Sequence, residues 1–390
     1  MVLGFMCGRA ILSLAMFLFG LNAIWDIYPR QWLKQRWWLL GLGWLAAYAL
    51  SGFWSADTVY LTERLQVKLP FLLLPLGFAL LPALSPRHIR WFTWGLILLL
   101  FCGSLYSLSF AWRDPEGVFN GYFTSKVMPT PAYKDHIRFS IFTAWSVLWC
   151  YYMYPKMERK WQRNIMAAAI IYFTLFLHIL AVRSGLLFFY LFTLSYIVYL
   201  FFKGRRLLSG AIMAGFIATI LLAYQYMPSF HYKMGYIKYT IEEYYDRGNM
   251  SGNFSDMGRI ISYQTAWSIF RQHPLAGVGA GDILVAMKQR YRDFDPGIQE
   301  EQILIPHNQV MVVAVATGIL GLTPFLCWLF YPLRQIRRNR DGYFVAITWF
   351  CLLISMCTEP MLEVQFGVFV FLFCLLWMMH CTRITGRYPG

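Results

Sequence analysis

Charge is scarce in this chain. Asp, Glu, Lys and Arg make up 14% of 390 residues, against 58% hydrophobic and 19% aromatic, a balance outside that of a soluble globular domain. Apolar runs recur along almost the whole length, each long enough as a helix to cross a hydrocarbon core of roughly 30 Å. One all-α, polytopic membrane domain therefore accounts for most of the mass. The interiors of those runs hold almost no ionisable side chain, and no internal repeat is visible. Ion-coupled transporters usually carry ionisable groups near the bilayer midplane and many are built from repeats, so a lipid or glycolipid transporter is a weaker reading than an enzyme.

Other absences narrow the choice. None of the eight cysteines stands in a CxxC or forms a loop pair; all fall in or at the ends of apolar segments, which leaves neither a disulfide framework nor a zinc site. No small-residue cleavage site follows the apolar start, and Arg9 sits where a signal peptide would be hydrophobic, so no removable signal is expected. Residues 1–8 are apolar yet fall ahead of the first candidate helix. A reading frame short of one helix would account for that, and would give twelve spans in place of about eleven.

Acidic residues are outnumbered: 34 Lys and Arg against 19 Asp and Glu give a formal net charge of +15. Such a balance fits nucleic acid, anionic lipid or an anionic substrate, and position decides between them. The cations cluster between helices, at Arg30/Lys34/Arg36, Arg87/Arg90, Lys156/Arg159/Lys160/Arg163, Lys203/Arg205/Arg206, Arg334/Arg337/Arg338/Arg340 and Arg383/Arg387. Short basic linkers mark the cytoplasmic side. With candidate helices at 10–28, 37–55, 69–84, 90–112, 137–154, 165–182, 184–202, 207–226, 308–331, 343–358 and 366–382, every linker alternates correctly, the N-terminus outside and the C-terminus inside. No basic stripe carries the interleaved aromatics and glycines of a nucleic-acid surface, so membrane lipids are the expected polyanionic neighbours and nucleic acid is not.

The chain divides into N-terminal helices (1–226), a long external loop (227–306) and C-terminal helices (307–390), parts of one membrane domain. A shorter external segment, 113–135, holds Pro115, Gly117, Pro129 and Pro131. Function concentrates in such loops. Within the long one, Ser255 or Asp256 is placed to cap a helix whose apolar residues Ile260, Tyr263, Trp267 and Phe270 step by helical spacing, an amphipathic element expected to lie against the membrane surface. A second interfacial helix is expected over 232–245. The exit through His273-Pro274 and Gly277, Gly279 and Gly281 follows no clear strand and opens no clear helix, so it is no nucleotide fingerprint.

The most specific pattern is His307-Asn308, nine residues, then Gly318-Ile319-Leu320-Gly321, where the long loop re-enters the membrane. At about 100° per residue, positions 307, 314, 318 and 321 share a narrow arc of one helix. Ala314, Gly318 and Gly321 then form a close-packing face, with Asn308 in the same motif, and His307 points inward from the rim. A lone histidine there is more often a packing residue, as is His178. Arg183, at the Arg183-Ser184-Gly185 break, and Arg259, after Gly258, are rim cations whose simplest role is snorkelling or a solvated charge. Asp293-Phe294-Asp295, near Glu300 and Glu301, is the candidate for a divalent ion, although such a tripeptide is usually polar loop. Glu359 and Glu363, on a short external linker, are placed to orient substrate and are not counted as catalytic.

These residues resemble the O-antigen ligase and polymerase superfamily, whose ligases show His, then Asn, Ser or Gln, nine residues and GxxG. The Arg183 break and the run from Gly258-Arg259 through a Trp-containing helix to His273-Pro274-Leu275-Ala276-Gly277-Val278-Gly279 are similar in order and spacing; where the family's serine precedes its arginine, Val182 stands here. The likeness spans about 50–369. It implies a GT-C-like enzyme of the bacterial inner membrane, moving a glycan from an undecaprenyl diphosphate carrier to a lipid A-core acceptor at the periplasmic face, with no cofactor. Arg183 and Arg259 would bind the diphosphate by charge-assisted hydrogen bonds, and His307, with an imidazole reference pKa near 6.5, would be the general base. Direct attack by the acceptor hydroxyl inverts the anomeric carbon, and arginines in place of a metal stabilise the leaving group. The O-antigen polymerase and the protein O-oligosaccharyltransferase are the rival readings within the same chemistry.

Overall fold

The computed structural model describes residues 1–25, 36–124, 126–132, 135–247, 255–294, 298–300, 303–336 and 341–385. Among these residues there is no strand. In chain order the helices are α1 (Val2–Cys7), α2 (Arg9–Trp25), α3 (Arg36–Leu50), α4 (Thr58–Lys68), α5 (Pro70–Leu80), α6 (Pro86–Arg113), α7 (Pro115–Gly121), α8 (His136–Met153), α9 (Lys160–Leu180), α10 (Arg183–Phe202), α11 (Arg206–Tyr226), α12 (Pro228–Arg247), α13 (Ser255–Gln272), α14 (Ile283–Phe294), α15 (Gln309–Phe330), α16 (Leu333–Ile336), α17 (Gly342–Thr358) and α18 (Gln365–Thr385). Six of them (α6, α9, α10, α11, α15 and α18) are long and apolar enough to cross a membrane, and α2 and α17 are shorter apolar helices. The chain is an all-α polytopic membrane protein.

Helix starts follow local chemistry. The Asp57, Asp135 and Asn308 side chains accept backbone N–H groups of α4, α8 and α15, and Ser85 caps α6 ahead of Pro86 at its first position. The turn between α9 and α10 is made by Ala181, buried at φ 46°, the left-handed conformation that ends a helix. Two helices sit at the centre. Along α18 nearly every residue from Phe366 to Met379 is buried, and α8 is buried from Phe139 to Cys150, as expected for helices apolar on all sides. Their rings stack through Trp145, Trp149, Phe373 and Trp377, and Phe92 of α6 closes on Trp377 with ring centres 4.0 Å apart. Phe5 of α1 wedges among Phe142, Phe366 and Phe369.

Tyr343–Ser195 (3.2 Å) and Cys351–Phe188 (3.7 Å) set α17 antiparallel to α10, so the C-terminal end of α17 lies at the level of Arg183. At the opposite end of the bundle Lys156 meets Asp341 at 2.9 Å and Arg90 meets Glu158 at 2.7 Å. Arg30, Lys34, Arg337, Arg338, Arg340 and Arg387 lie outside the described residues. Two helices depart from the sequence expectation. The segment α4 is charged and carries no apolar run, and α14 ends in the tripeptide expected as loop; neither shows the pattern of a span.

The long loop is helical. The segments α12 and α13 form where interfacial helices are expected, but α13 docks on α15 through Ser262, Thr265, Ala266 and Ile269, leaving Ile260 and Trp267 exposed. The side chains of Ser255 and Asp256 lie outside the described residues. Ala266 and Ile269 join Ala280, Ile283, Met287 and Tyr291 in a second core against Val312, Val315 and Ala316 of α15. The loop is therefore fastened to the helix that begins at His307.

Candidate active site

The chain enters α15 through His307 and Asn308. Asn308 Oδ1 accepts the N–H groups of Val310 (2.9 Å) and Met311 (3.3 Å), so its role is an N-cap; the helix-packing role expected for it is corrected. The His307 N–H donates to Ser262 Oγ at 3.2 Å, and Tyr263 Oη donates to the His307 carbonyl at 3.2 Å. Both partners lie on α13, the helix that carries Arg259. The backbone at His307 is thus held by contacts to the loop.

Glu359 is the centre of the cluster. Only 3% exposed, its carboxylate takes Arg259 Nη2 on Oε1 and lies 3.5 Å from His307 Nδ1 through Oε2, the long limit of a hydrogen bond. Burial pushes this carboxyl up, but the His307 contact and the charges of Arg259 and Arg138 outweigh it and hold Glu359 below its ordinary value. At this separation Nδ1 makes no hydrogen bond, and a closer approach of the carboxylate would select the tautomer that leaves Nε2 free to accept a proton. About a fifth of the His307 side chain is exposed.

Arg183 and Arg138 lie on neighbouring helices at the same end. A Cβ on Gly185 would fall 2.5 Å from Ser140 Cβ, so α10 and α8, which run parallel, touch at that level. Two residues earlier on each stand Arg183 and Arg138. The Arg183 guanidinium is 5.9 Å from the Tyr236 ring of α12. The helices α8, α10, α15 and α18 all begin at this end, where helix N-termini add partial positive charge. His307 and Arg259 therefore meet on Glu359, while Arg183 stands at the same level beside Arg138.

Beneath His307 a buried polar network ties three elements together. Lys68 Nζ lies 2.8 Å from Glu363 Oε2, with the two side chains 0% and 2% exposed. Gln309 Nε2 donates to Glu363 Oε1 (2.8 Å), and Gln309 Oε1 accepts the Leu362 N–H (2.7 Å). Arg64 Nη1 donates to the Glu363 carbonyl at 2.8 Å. The first turn of α15 is thereby joined to the linker that holds Glu359.

The glycine pair works differently from a helix-packing face. Gly318 adopts φ 58°, ψ −158°, so α15 is kinked there and positions 307, 314, 318 and 321 do not share one uniform helix face. The freed backbone pairs with the loop: Val278 N–H donates to Val315 O (2.9 Å), Gly279 N–H to Ala316 O (3.0 Å) and Ile319 N–H to Pro274 O (2.9 Å). A Cβ on Gly318 would fall 2.3 Å from the Leu275 backbone, and one on Gly321 would fall 2.1 Å from Thr317 Oγ1 of its own helix. The run from His273 to Gly281 is the partner of this kink, and Ala280 and Gly281 N–H donate onward to Ser51 and Ser55.

Other candidates are engaged elsewhere. Asp293 pairs with Arg290 at 3.2 Å, and Glu300 with Lys288 (3.3 Å) and Arg292 (2.8 Å); Asp295 and Glu301 lie outside the described residues. Among the described residues no group of three or more His, Cys, Asp or Glu stands together as a metal site. His178 is fully buried, with Nδ1 2.7 Å from Thr174 O and Nε2 3.0 Å from Tyr190 Oη, a packing histidine. Sequence reasoning missed Arg138, Lys68 and Gln309 and assigned Glu359 too small a part. Its one usable signal was an acidic pair, Glu359 and Glu363, on a linker next to an apolar helix.

Residues 167–326 match the family model described as O-Antigen ligase, a stretch that includes Arg183, Arg259, His307 and the kink at Gly318. No curated protein matches the chain.

Proposed function

We propose that the chain, which matches the O-antigen ligase family model over residues 167–326, transfers a glycan from undecaprenyl diphosphate to lipid A-core at the periplasmic face of the inner membrane. The observation that carries this reading is Glu359, which joins Arg259 to His307 and so couples an anion-binding cation to a proton acceptor. The acceptor hydroxyl approaches His307 Nε2, which takes its proton while the hydroxyl oxygen attacks the anomeric carbon. That carbon's bond to the phosphate oxygen breaks on the opposite face, the configuration inverts, and undecaprenyl diphosphate leaves. Glu359 keeps Nδ1 protonated and stabilises the imidazolium that forms.

Charge grows on the diphosphate as the bond breaks. Arg183, Arg259 and the converging helix N-termini are aimed at that charge, which makes them worth more in the transition state than in the ground state. They supply the stabilisation that a divalent metal gives in other transferases, so activity is expected to survive a chelator.

His307→Ala tests the reading in cells at matched expression. A ligase without its base leaves long glycan chains on the carrier and the lipid A-core uncapped. A defective polymerase gives a core bearing a single repeat unit and no long carrier-linked chains. A defective protein O-oligosaccharyltransferase leaves lipopolysaccharide normal and glycoproteins bare. Normal long-chain lipopolysaccharide in the variant, in a strain with no second ligase, would overturn the assignment.

A further inference from the structure

A cavity of about 710 Å³ opens beside the cluster, between the α1–α2 turn, the first turn of α8 and the start of α18. Its walls include Arg9, Ile11, Asp135, Ile137, Arg138 and Val364. The charged group that matters is Arg138. It is 8% exposed, its Nη1 reaches Asp135 Oδ1 only at 3.4 Å, and its Nε is buried with no hydrogen-bond partner among the described residues. A buried guanidinium with an unmet N–H is costly, and an oxygen-rich anion removes that cost. Asp135 is turned to other work: the oxygen that meets Arg138 Nη1 also caps α8 by accepting the Arg138 N–H at 3.2 Å. With Arg9 exposed on the same wall and 5.7 Å from the Phe366 ring, the cavity carries net positive charge at the N-terminus of α8, next to apolar side chains.

The cavity is also electrically joined to the reaction centre. Arg138 helps to hold Glu359 ionised, and Val364 follows directly on the Glu359–Glu363 linker. On the glycan-transfer reading, two substrates must meet at His307. The donor diphosphate is assigned to Arg183 and Arg259, which leaves the acceptor without a cation of its own.

We propose that the Arg9–Arg138 cavity is a subsite for a phosphate group carried by the membrane-anchored acceptor glycolipid. The phosphate seats against Arg138 and Arg9, the apolar wall takes the adjoining lipid, and the acceptor hydroxyl is presented to His307. This rests on the reading of His307 as the base of glycan transfer.

The test is steady-state transfer by the purified full-length protein in phosphatidylcholine nanodiscs, with acceptor glycolipid used either phosphorylated or after enzymatic dephosphorylation. Arg9→Gln and Arg138→Gln should each raise KM for the phosphorylated acceptor about tenfold, the loss of one charge-assisted contact, with donor KM unchanged. Dephosphorylation should raise the wild-type KM similarly and leave the acceptor KM of Arg9→Gln equal to that of wild type, while Arg138→Gln, which loses a cation that also steadies Glu359, keeps a reduced kcat on both acceptors. Arg9 is exposed, so its variant stays informative if Arg138→Gln fails to fold. Equal wild-type KM values for the two acceptors overturn the proposal. So does an equal effect of Arg9→Gln on the KM of both acceptors. A third arm replaces phosphatidylcholine by phosphatidylglycerol: if the Arg9 effect then follows the bulk lipid and not the acceptor phosphate, the cavity is a phospholipid site and the proposal fails. Failure of the underlying reading looks different, because His307→Ala would then retain transfer on every acceptor.

Discussion

His307 Nδ1 and Glu359 Oε2 stand 3.5 Å apart across the junction of two elements separated by half a hundred residues of chain. The contact is long for a hydrogen bond, and a pair of this kind tightens when the imidazole acquires a proton. Glu359→Gln keeps shape and burial while removing the charge. It is expected to lower transfer by roughly 10²–10⁴-fold, the scale seen when a carboxylate that orients a catalytic imidazole is neutralised. Turnover with matched donor and acceptor concentrations is the measurement, and wild-type turnover would make the contact incidental.

The same carboxylate gives a pH prediction. Its folded-state pKa is depressed below the ordinary glutamate value, so its contribution to stability is present above that value and is lost as the pH falls through the lower folded one. Thermal unfolding of the wild type in detergent should therefore show a loss on acidification that is smaller in Glu359→Gln. A wild-type and variant difference that stays constant from neutral pH to strongly acid pH counts against this account.

The buried Lys68–Glu363 pair makes a third prediction. Lys68→Met leaves a carboxylate with 2% exposure and no counter-charge at that oxygen, which should cost about 3–5 kcal/mol. Adding Glu363→Gln removes the stranded charge, so the double variant should be the more stable of the two. Guanidinium or thermal unfolding of the purified variants measures this, and a double variant less stable than Lys68→Met would show that the network acts through its hydrogen bonds alone.

Glycine substitutions separate the kink from the helix surfaces. Gly318→Ala places a methyl against the Leu275 backbone at a positive φ, where nothing can rotate away, and is expected to cost at least ~1–3 kcal/mol. Gly95→Ala, with nothing within 4 Å of the new Cβ, should be neutral or stabilising. Similar melting temperatures for the two variants would mean that the loop pairing at the kink yields.

How far the chain itself announced this arrangement follows from the kind of signal each part carries. Long apolar runs such as 90–112 and 184–202 are visible as periodic hydrophobicity, and their helices form within a few residues of the expected ends. The helix α4 was invisible because it is short and charged, and it becomes helical through the Asp57 cap and Lys68–Glu363. His307 and Arg259 could be singled out by motif, since each stands beside an unusual local pattern. Glu359 could not: its importance lies in a contact over 100 residues with Arg259, and nothing local distinguishes it from a solvated loop acid. The reading of Gly318 failed for a related reason. A glycine three residues from another glycine suits a packing face and a broken helix equally, and the loop hydrogen bonds that decide between them are non-local.

The last prediction concerns Arg259, whose contact with Glu359 gives it two separable duties. As a charge stabiliser of the leaving diphosphate it should lose about 10²–10³-fold in transfer on Arg259→Ala. Removing it also strips Glu359 of a bonded cation, which lets burial raise that carboxyl and weakens its hold on His307. The two effects can be told apart by a double-mutant cycle with Glu359→Gln. If Arg259 worked only on the diphosphate, its loss and that of Glu359 would multiply. Because they share a bond, the double variant should be less impaired than the product of the single losses, a coupling of about 0.5–3 kcal/mol. Arg259→Lys sharpens the result: a lysine keeps the charge that steadies Glu359 but loses the planar fork that fits a diphosphate, so it should preserve the wild-type acid limb of the pH profile while recovering little turnover. Strict multiplicativity in the cycle, together with full rescue by lysine, would reduce Arg259 to a simple point charge and remove Glu359 from the path between the diphosphate and His307.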